Sequence, residues 1–242
     1  MKFYFGILIS LTGLNFCFAN DVVIKSAVVK PQTQELRLGF RNFDVKQDFV
    51  SNIKRQLKVT LDGLVVLEEY SLNLKKNNPG NNPKADIAPT TVNVKYLSET
   101  QLTPKFEWKS TRLIQTSTEK KTALFTVAGK EIIVSSQADA SPVKIKKLSY
   151  NNNALPLSAV PYFLFNQGRK QIGIPNDLDI FLETEQSLIK TSWVYLGSSL
   201  ENQKKIHRFE INGGLSQMIY LDAEGRILKI KDLRKFFELN SI

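Results

Sequence analysis

The sequence predicts a mainly β protein, an antiparallel meander curled into a barrel or half-barrel, with one short apolar helix around 156–166. Three observations carry this. Apolar and polar residues alternate with a period nearer two than 3.6 along most of the chain. The alternating runs are short and end in turn-forming residues such as Asp62-Gly63 and Gly129-Lys130. Only "ALPLSAVPYFLFNQG", 154–168, replaces the alternation with a dense apolar block.

Taken in order, Val22 to Lys30 reads as a first strand. Ile53 to Leu61 and Leu64 to Leu74 form a hairpin around Asp62-Gly63. The Asn-, Pro- and Gly-rich stretch 75–90 has almost nothing to bury and reads as a long loop. Strands resume at Thr91 to Leu97 and Lys105 to Thr116, followed by a hairpin over 123–137 and a basic strand from Val143 to Tyr150. Leu157 to Phe165 fits one or two helical turns. Pro156 suits the start, Pro161 prevents a long regular helix and Gly168 suits the end. Five more strands follow: Leu178 to Glu183, Leu188 to Gly197, Lys205 to Ile211, Gly214 to Leu221 and Arg226 to Lys231. The last two form a hairpin that completes the sheet.

The N-terminus has the layout of a secretory signal over 1–19: Lys2, an apolar run from Phe3 to Leu14, and Ala19 before a cleavage point. The run is short against the about 20 residues of a membrane span. Asn15 and Phe16 stand where a lipoprotein signal carries small residues, so Cys17 reads as part of the signal. The expectation is a single β-rich domain over 20–242 with a seam near 151–153, periplasmic or secreted after cleavage, and at most peripheral membrane contact. Cleavage removes the sole cysteine, and with it disulfides, thiolate metal sites and cysteine nucleophiles.

Lys and Arg total 33 against 23 Asp and Glu, a formal +10. The basic residues are scattered in pairs such as Lys75-Lys76 and Lys146-Lys147 rather than gathered into a stripe, and export argues against a nucleic-acid partner. His207 is the only histidine, so a histidine metal site has no second ligand. No Gly-x-Ser-x-Gly elbow accompanies it, and a position at the sheet surface is the better account. The carboxylate pairs Glu68-Glu69, Asp177 with Asp179, and Glu183 with Glu185 show no catalytic spacing, while Asp222 and Glu224 fit a turn closed by Gly225. Asp177 and Asp179 lack the ligand series of a calcium loop. No catalytic residue, metal site or cofactor is expected.

The second half, about residues 150 to 231, has a layout carried by Leu155, Pro156, Tyr220, Leu221, Asp222, Gly225, Arg226 and Leu228. It resembles periplasmic proteins of the DUF3108 type and, more loosely, the LolA/LolB-like lipoprotein carriers. That resemblance implies a curved antiparallel sheet over a helix and binding of lipid or acyl chains. It implies no catalytic residues. The early long helix of the carriers has no counterpart here.

The expected function is therefore a non-enzymatic envelope protein that binds a lipid-like or other hydrophobic ligand on the concave face of its sheet. Leu157, Val160, Tyr162, Phe163 and Phe165 would line the site, with Trp193 and Tyr195 on a facing strand. An envelope assembly factor with a filled core, meeting a protein partner at an edge strand or at 75–90, is the alternative. A cell-wall or glycan hydrolase using Asp177 and Asp179 is the remote one.

Overall fold

The structure is a computed structural model and describes residues 30–40, 49–76, 90–139, 141–233 and 237–242. The signal segment, the expected first strand at 22–30 apart from its last residue, and the loop over 77–89 lie outside the described residues.

One sheet of 15 strands accounts for the molecule. Its first eight strands are β1 (Gln32–Phe40), β2 (Phe49–Thr60), β3 (Gly63–Lys76), β4 (Thr90–Leu102), β5 (Trp108–Thr116), β6 (Lys120–Ala128), β7 (Glu131–Ala138) and β8 (Lys144–Ser149). A short strand β9 (Ala154–Pro156) leads into a 3₁₀ turn, Leu157–Ala159, and helix α1 (Val160–Gln167). Then come β10 (Asn176–Leu182), β11 (Ser187–Glu201), β12 (Lys204–Gly213), β13 (Gln217–Asp222), β14 (Ile227–Asp232) and β15 (Phe237–Ser241).

The spatial order runs from β8 down to β1, crosses to β15, then descends to β9. All pairings are antiparallel except β9 with β10, which is parallel. Two strands absent from the sequence reading, β1 and β15, pair with each other and join the two meanders into one sheet. The β13–β14 hairpin therefore lies inside the strand order and does not end it. Gln34 reinforces this junction, with its side-chain amide bonded to both the carbonyl and the N–H of Ile227 at 3.3 and 3.2 Å.

The sheet is curled and not closed, with β8 and β9 at its two ends. Residues 150–153 connect those end strands. β10 is buried at every position from Leu178 to Leu182, so both its faces are covered. Phe181 packs on Trp108 and Phe125, at 5.2 and 4.8 Å between ring centroids, which tucks this end of the sheet against β5 and β6.

Pro161 falls in the first turn of α1, where a missing N–H costs nothing. The entry to the helix is tied by a chain of hydroxyls. Trp108 Nε1 donates to Thr111 Oγ1 at 2.9 Å, Thr111 bonds Thr100 at 2.9 Å, and Thr100 bonds Ser158 at 3.0 Å.

Candidate functional site

The hairpin between β2 and β3 pairs Thr60 with Gly63, and that register sets Arg55 opposite Glu68. In a strand, residues two apart share a face. Ile53, Arg55 and Leu57 therefore point one way, as do Val66, Glu68 and Tyr70. Both charges thus stand in the inward, apolar phase of their strands, with Arg55 only 6% exposed. The two side chains form an ion pair inside the curl. On β10 the phase that carries Asp179 and Phe181 continues to Glu183, also buried. Glu183 Oε1 accepts from the Ser158 backbone N–H at 3.2 Å, at the entry to α1.

These three residues share the wall of a cavity of about 360 Å³. Ile53, Leu157, Val160, Leu215, Ile230 and Leu239 make its apolar walls. Its polar lining is Arg55, Glu68, Glu183, Tyr70, Ser98 and Ser158, together with Thr184, Glu185, Gln217 and Asp232. The Arg55 guanidinium carbon lies 5.8 Å from the Tyr162 ring centroid.

Electrostatics follow from burial. Burial disfavours the Arg55 cation, but the Glu68 carboxylate, followed by Tyr162 and Glu183, outweighs it and holds Arg55 above its ordinary pKa. Glu183 is pushed up to about 7 by burial first and by Glu68 second. Tyr162 is pushed up to about 12, chiefly by burial. The cluster near neutral pH is an ion pair, a titrating acid and a protonated phenol. Apart from Glu68 Oε1, which the ion pair engages, four of its buried atoms have no hydrogen-bond partner: Arg55 Nε and Nη1, Ser98 Oγ and Tyr162 OH. Native interiors leave few such atoms.

The residues expected to line a site divide between different places. Leu157 and Val160 line this cavity. Tyr162 is fully buried beside Arg55. Phe163 lines a second recess of about 570 Å³ with Phe106, Trp108 and Tyr150. Two of the polar groups there are bonded: Tyr150 OH donates to Gly129 O, and Lys130 Nζ donates to Asn151 O.

Phe165, Trp193 and Tyr195 belong to a filled core and line neither of these cavities. There Phe163 meets Trp193 edge-on at 6.2 Å, and Tyr195 packs on Phe209 at 4.9 Å.

His207 corrects the sequence reading. It is 3% exposed and faces this core with Phe209 and Ile211, the phase that strand alternation gives it. The Tyr195 hydroxyl and His207 Nδ1 share a hydrogen bond of 2.8 Å, and Phe165 stands edge-on at 5.9 Å. His207 is pushed down to about 4 by burial, then by Arg169 and Lys205. Asp222 and Glu224 form the expected turn. Asp222 Oδ1 accepts from the N–H groups of Glu224 and Arg226, and Gly225 has φ +82°. Gly225 also allows close packing, because a Cβ there would stand 2.6 Å from Phe165.

Asp179 is buried and accepts from Asn152 N–H at 3.4 Å, while Asp177 is exposed. Among the described residues no group of three or more His, Cys, Asp or Glu side chains is arranged to hold a metal ion.

No protein-family profile matches the chain, and no curated protein matches it in sequence. A solved structure does match in fold: the crystal structure of a β-barrel-like protein of the domain of unknown function DUF1849 from Brucella abortus. It aligns with a TM-score of 0.60 at 8% sequence identity, covering 88% of this chain and 98% of that one. The likeness that this match carries is one of fold alone. The chain has a β-barrel-like fold.

Proposed function

We propose that the protein is an exported, non-enzymatic envelope protein that binds a lipid-like or other hydrophobic ligand in the cavity beside α1. One observation carries the reading: a cavity of about 360 Å³ with largely apolar walls opens beside α1. That volume and lining are those of a small-molecule site. Export to the periplasm or beyond rests on the signal layout of residues 1–19. Acyl binding is also what the resemblance to DUF3108 and LolA/LolB-type proteins implies.

Delipidated mature protein incubated with an envelope lipid extract should retain a bound species in native mass spectrometry. Leu157→Trp, which fills the cavity from one wall, should abolish retention at an unchanged melting temperature. No bound species, or equal retention by the variant, would sink the reading.

A protein-interaction role has one observation in its favour. Among the described residues β8 pairs only with β7, and it exposes Lys144, Ile145 and Lys146, so its outer edge suits an added strand. A hydrolase role gains Glu68 and Glu183 in place of Asp177 and Asp179. Against it, Glu68 is held in an ion pair and the apolar walls suit a chain better than a sugar.

A further inference from the structure

We infer that the ligand is a single-chain amphiphile whose head is one carboxylate, seated inward on Arg55 and Ser98, with its chain along Leu215, Ile230 and Leu239. The inference rests on the reading of this cavity as a ligand site. It goes further in naming the head, its orientation and its charge.

The unmet hydrogen-bonding groups decide the sign of the head. Glu68 occupies one arm of the Arg55 guanidinium and leaves Nε and Nη1 unpartnered. Both are donors with no acceptor role. Tyr162 packs beside Arg55 outside the cavity lining, so its OH offers the head no contact. Ser98 Oγ adds a hydroxyl. A carboxylate brings two oxygens and about four lone pairs to such a cluster. An ammonium head brings only donors, leaves the cluster unmet and stands beside a guanidinium.

The neighbouring charges decide the magnitude. Glu68 from β3 already balances Arg55 from β2. Tyr70 of β3 and Tyr162 of α1 are both held protonated. Glu185 and Asp232 line the same cavity. A protonated Glu183 is neutral and offsets no charge; each negative charge on the head adds to Glu185 and Asp232 in the wall, so a monocarboxylate is repelled less than a dianionic phosphate.

The volume decides the number of chains. At the ~30 Å³ that a water takes in the liquid, 360 Å³ holds roughly a dozen heavy atoms. A carboxyl and one medium-length chain fill that space.

Isothermal titration of the mature protein with decanoate, decanol and decylammonium at pH 6 and pH 8 tests this. At pH 6 decanoate should bind at least about tenfold tighter than decanol, with decylammonium weakest, since charged hydrogen bonds replace neutral ones. Decanoate should weaken about tenfold from pH 6 to pH 8, as the population with protonated Glu183 shrinks, and decanol should not. Glu183→Gln should flatten the pH step. Removing Arg55 alone risks the fold, so the double variant Arg55→Gln/Glu68→Gln is used; its decanoate-to-decanol ratio should fall to about one. Equal or tighter binding of decanol or decylammonium, or an unchanged ratio in the double variant, overturns the carboxylate head while leaving the cavity reading intact. A preference without the pH step overturns the charge balance at Glu183. Binding of none of the three overturns both.

Discussion

At the entry to α1, Arg55, Glu68, Glu183 and Tyr162 gather beside a cavity with four of the cluster's buried polar atoms unpartnered. Toward its C-terminal end, Tyr195, His207 and Phe165 gather in a filled core, with the Tyr195 hydroxyl bonded to His207. Both clusters are buried, aromatic and built on strands of one sheet. They differ in satisfaction and in space. The second has its polar groups met and its volume filled, which is how side chains fix an architecture. The first leaves donors unmet next to a void, a costly arrangement for stability alone. The contrast teaches that burial of a polar group does not mark a site; burial without a partner, beside room for one, does.

Two arginine–carboxylate pairs give the largest test of this contrast. Arg55 pairs with Glu68 inside the curl, whereas Arg226 pairs with Asp222 and is 50% exposed at the β13–β14 turn. Arg55→Leu leaves Glu68 buried without its cation and should lower the urea-unfolding free energy by about 3–5 kcal/mol. Arg55→Leu/Glu68→Leu should recover most of that loss. Arg226→Ala should cost within about 1 kcal/mol. A double variant as damaged as the single one would show that the pair itself holds the fold, and the cluster would then read as architecture.

The next effect is a pH dependence. The fold raises Glu183 from 4.5 to about 7. A carboxyl raised in the folded state contributes stability that is present below its ordinary pKa and is lost as pH rises through 7. Glu183→Gln escapes that loss. Its melting temperature should exceed wild type at pH 8 by the equivalent of about 2–3 kcal/mol, with no gain at pH 4. Equal melting at both pH values would mean that Glu183 ionises freely in the fold, and the polar lining would lose its titrating acid.

Much of this was legible in the sequence. Period-two alternation gives the antiparallel curl, the block at 154–168 gives the helix, and Asp222 with Gly225 gives the turn. The site was less so. Leu157 and Val160 were found because apolar clustering is a local signal. Arg55, Glu68 and Glu183 were not, because a single charge in a strand looks like a solvated position. A usable signal existed all the same. The Asp62-Gly63 turn fixes the hairpin register, which sets Arg55 opposite Glu68, and both fall in the apolar phase of their strands. The same alternation puts His207 with Phe209 and Ile211. The approach of Glu183 to Glu68 is set by the tuck of β10 toward β5, a long-range event that no local pattern carries. β1 and β15 were missed because short mixed stretches become strands only when each supplies the other's partner.

The smallest effect separates the clusters most cleanly. The fold lowers His207 from 6.5 to about 4, so it favours the neutral ring. That contribution is complete above 6.5 and is lost as pH falls through 4, the opposite sign to Glu183 over an overlapping pH range. Tyr195→Phe removes the hydroxyl bonded to His207 and should cost about 0.5–1.5 kcal/mol at pH 8, measured by urea unfolding. Because Tyr195 does not line the cavity, decanoate titration of this variant should match wild type. The cavity substitutions should do the reverse, moving affinity more than their stability cost explains. A Tyr195→Phe protein that folds normally but loses decanoate would place the binding surface across the sheet, on the Trp193 and Tyr195 strand, and would overturn the division between a filled cluster and an open one.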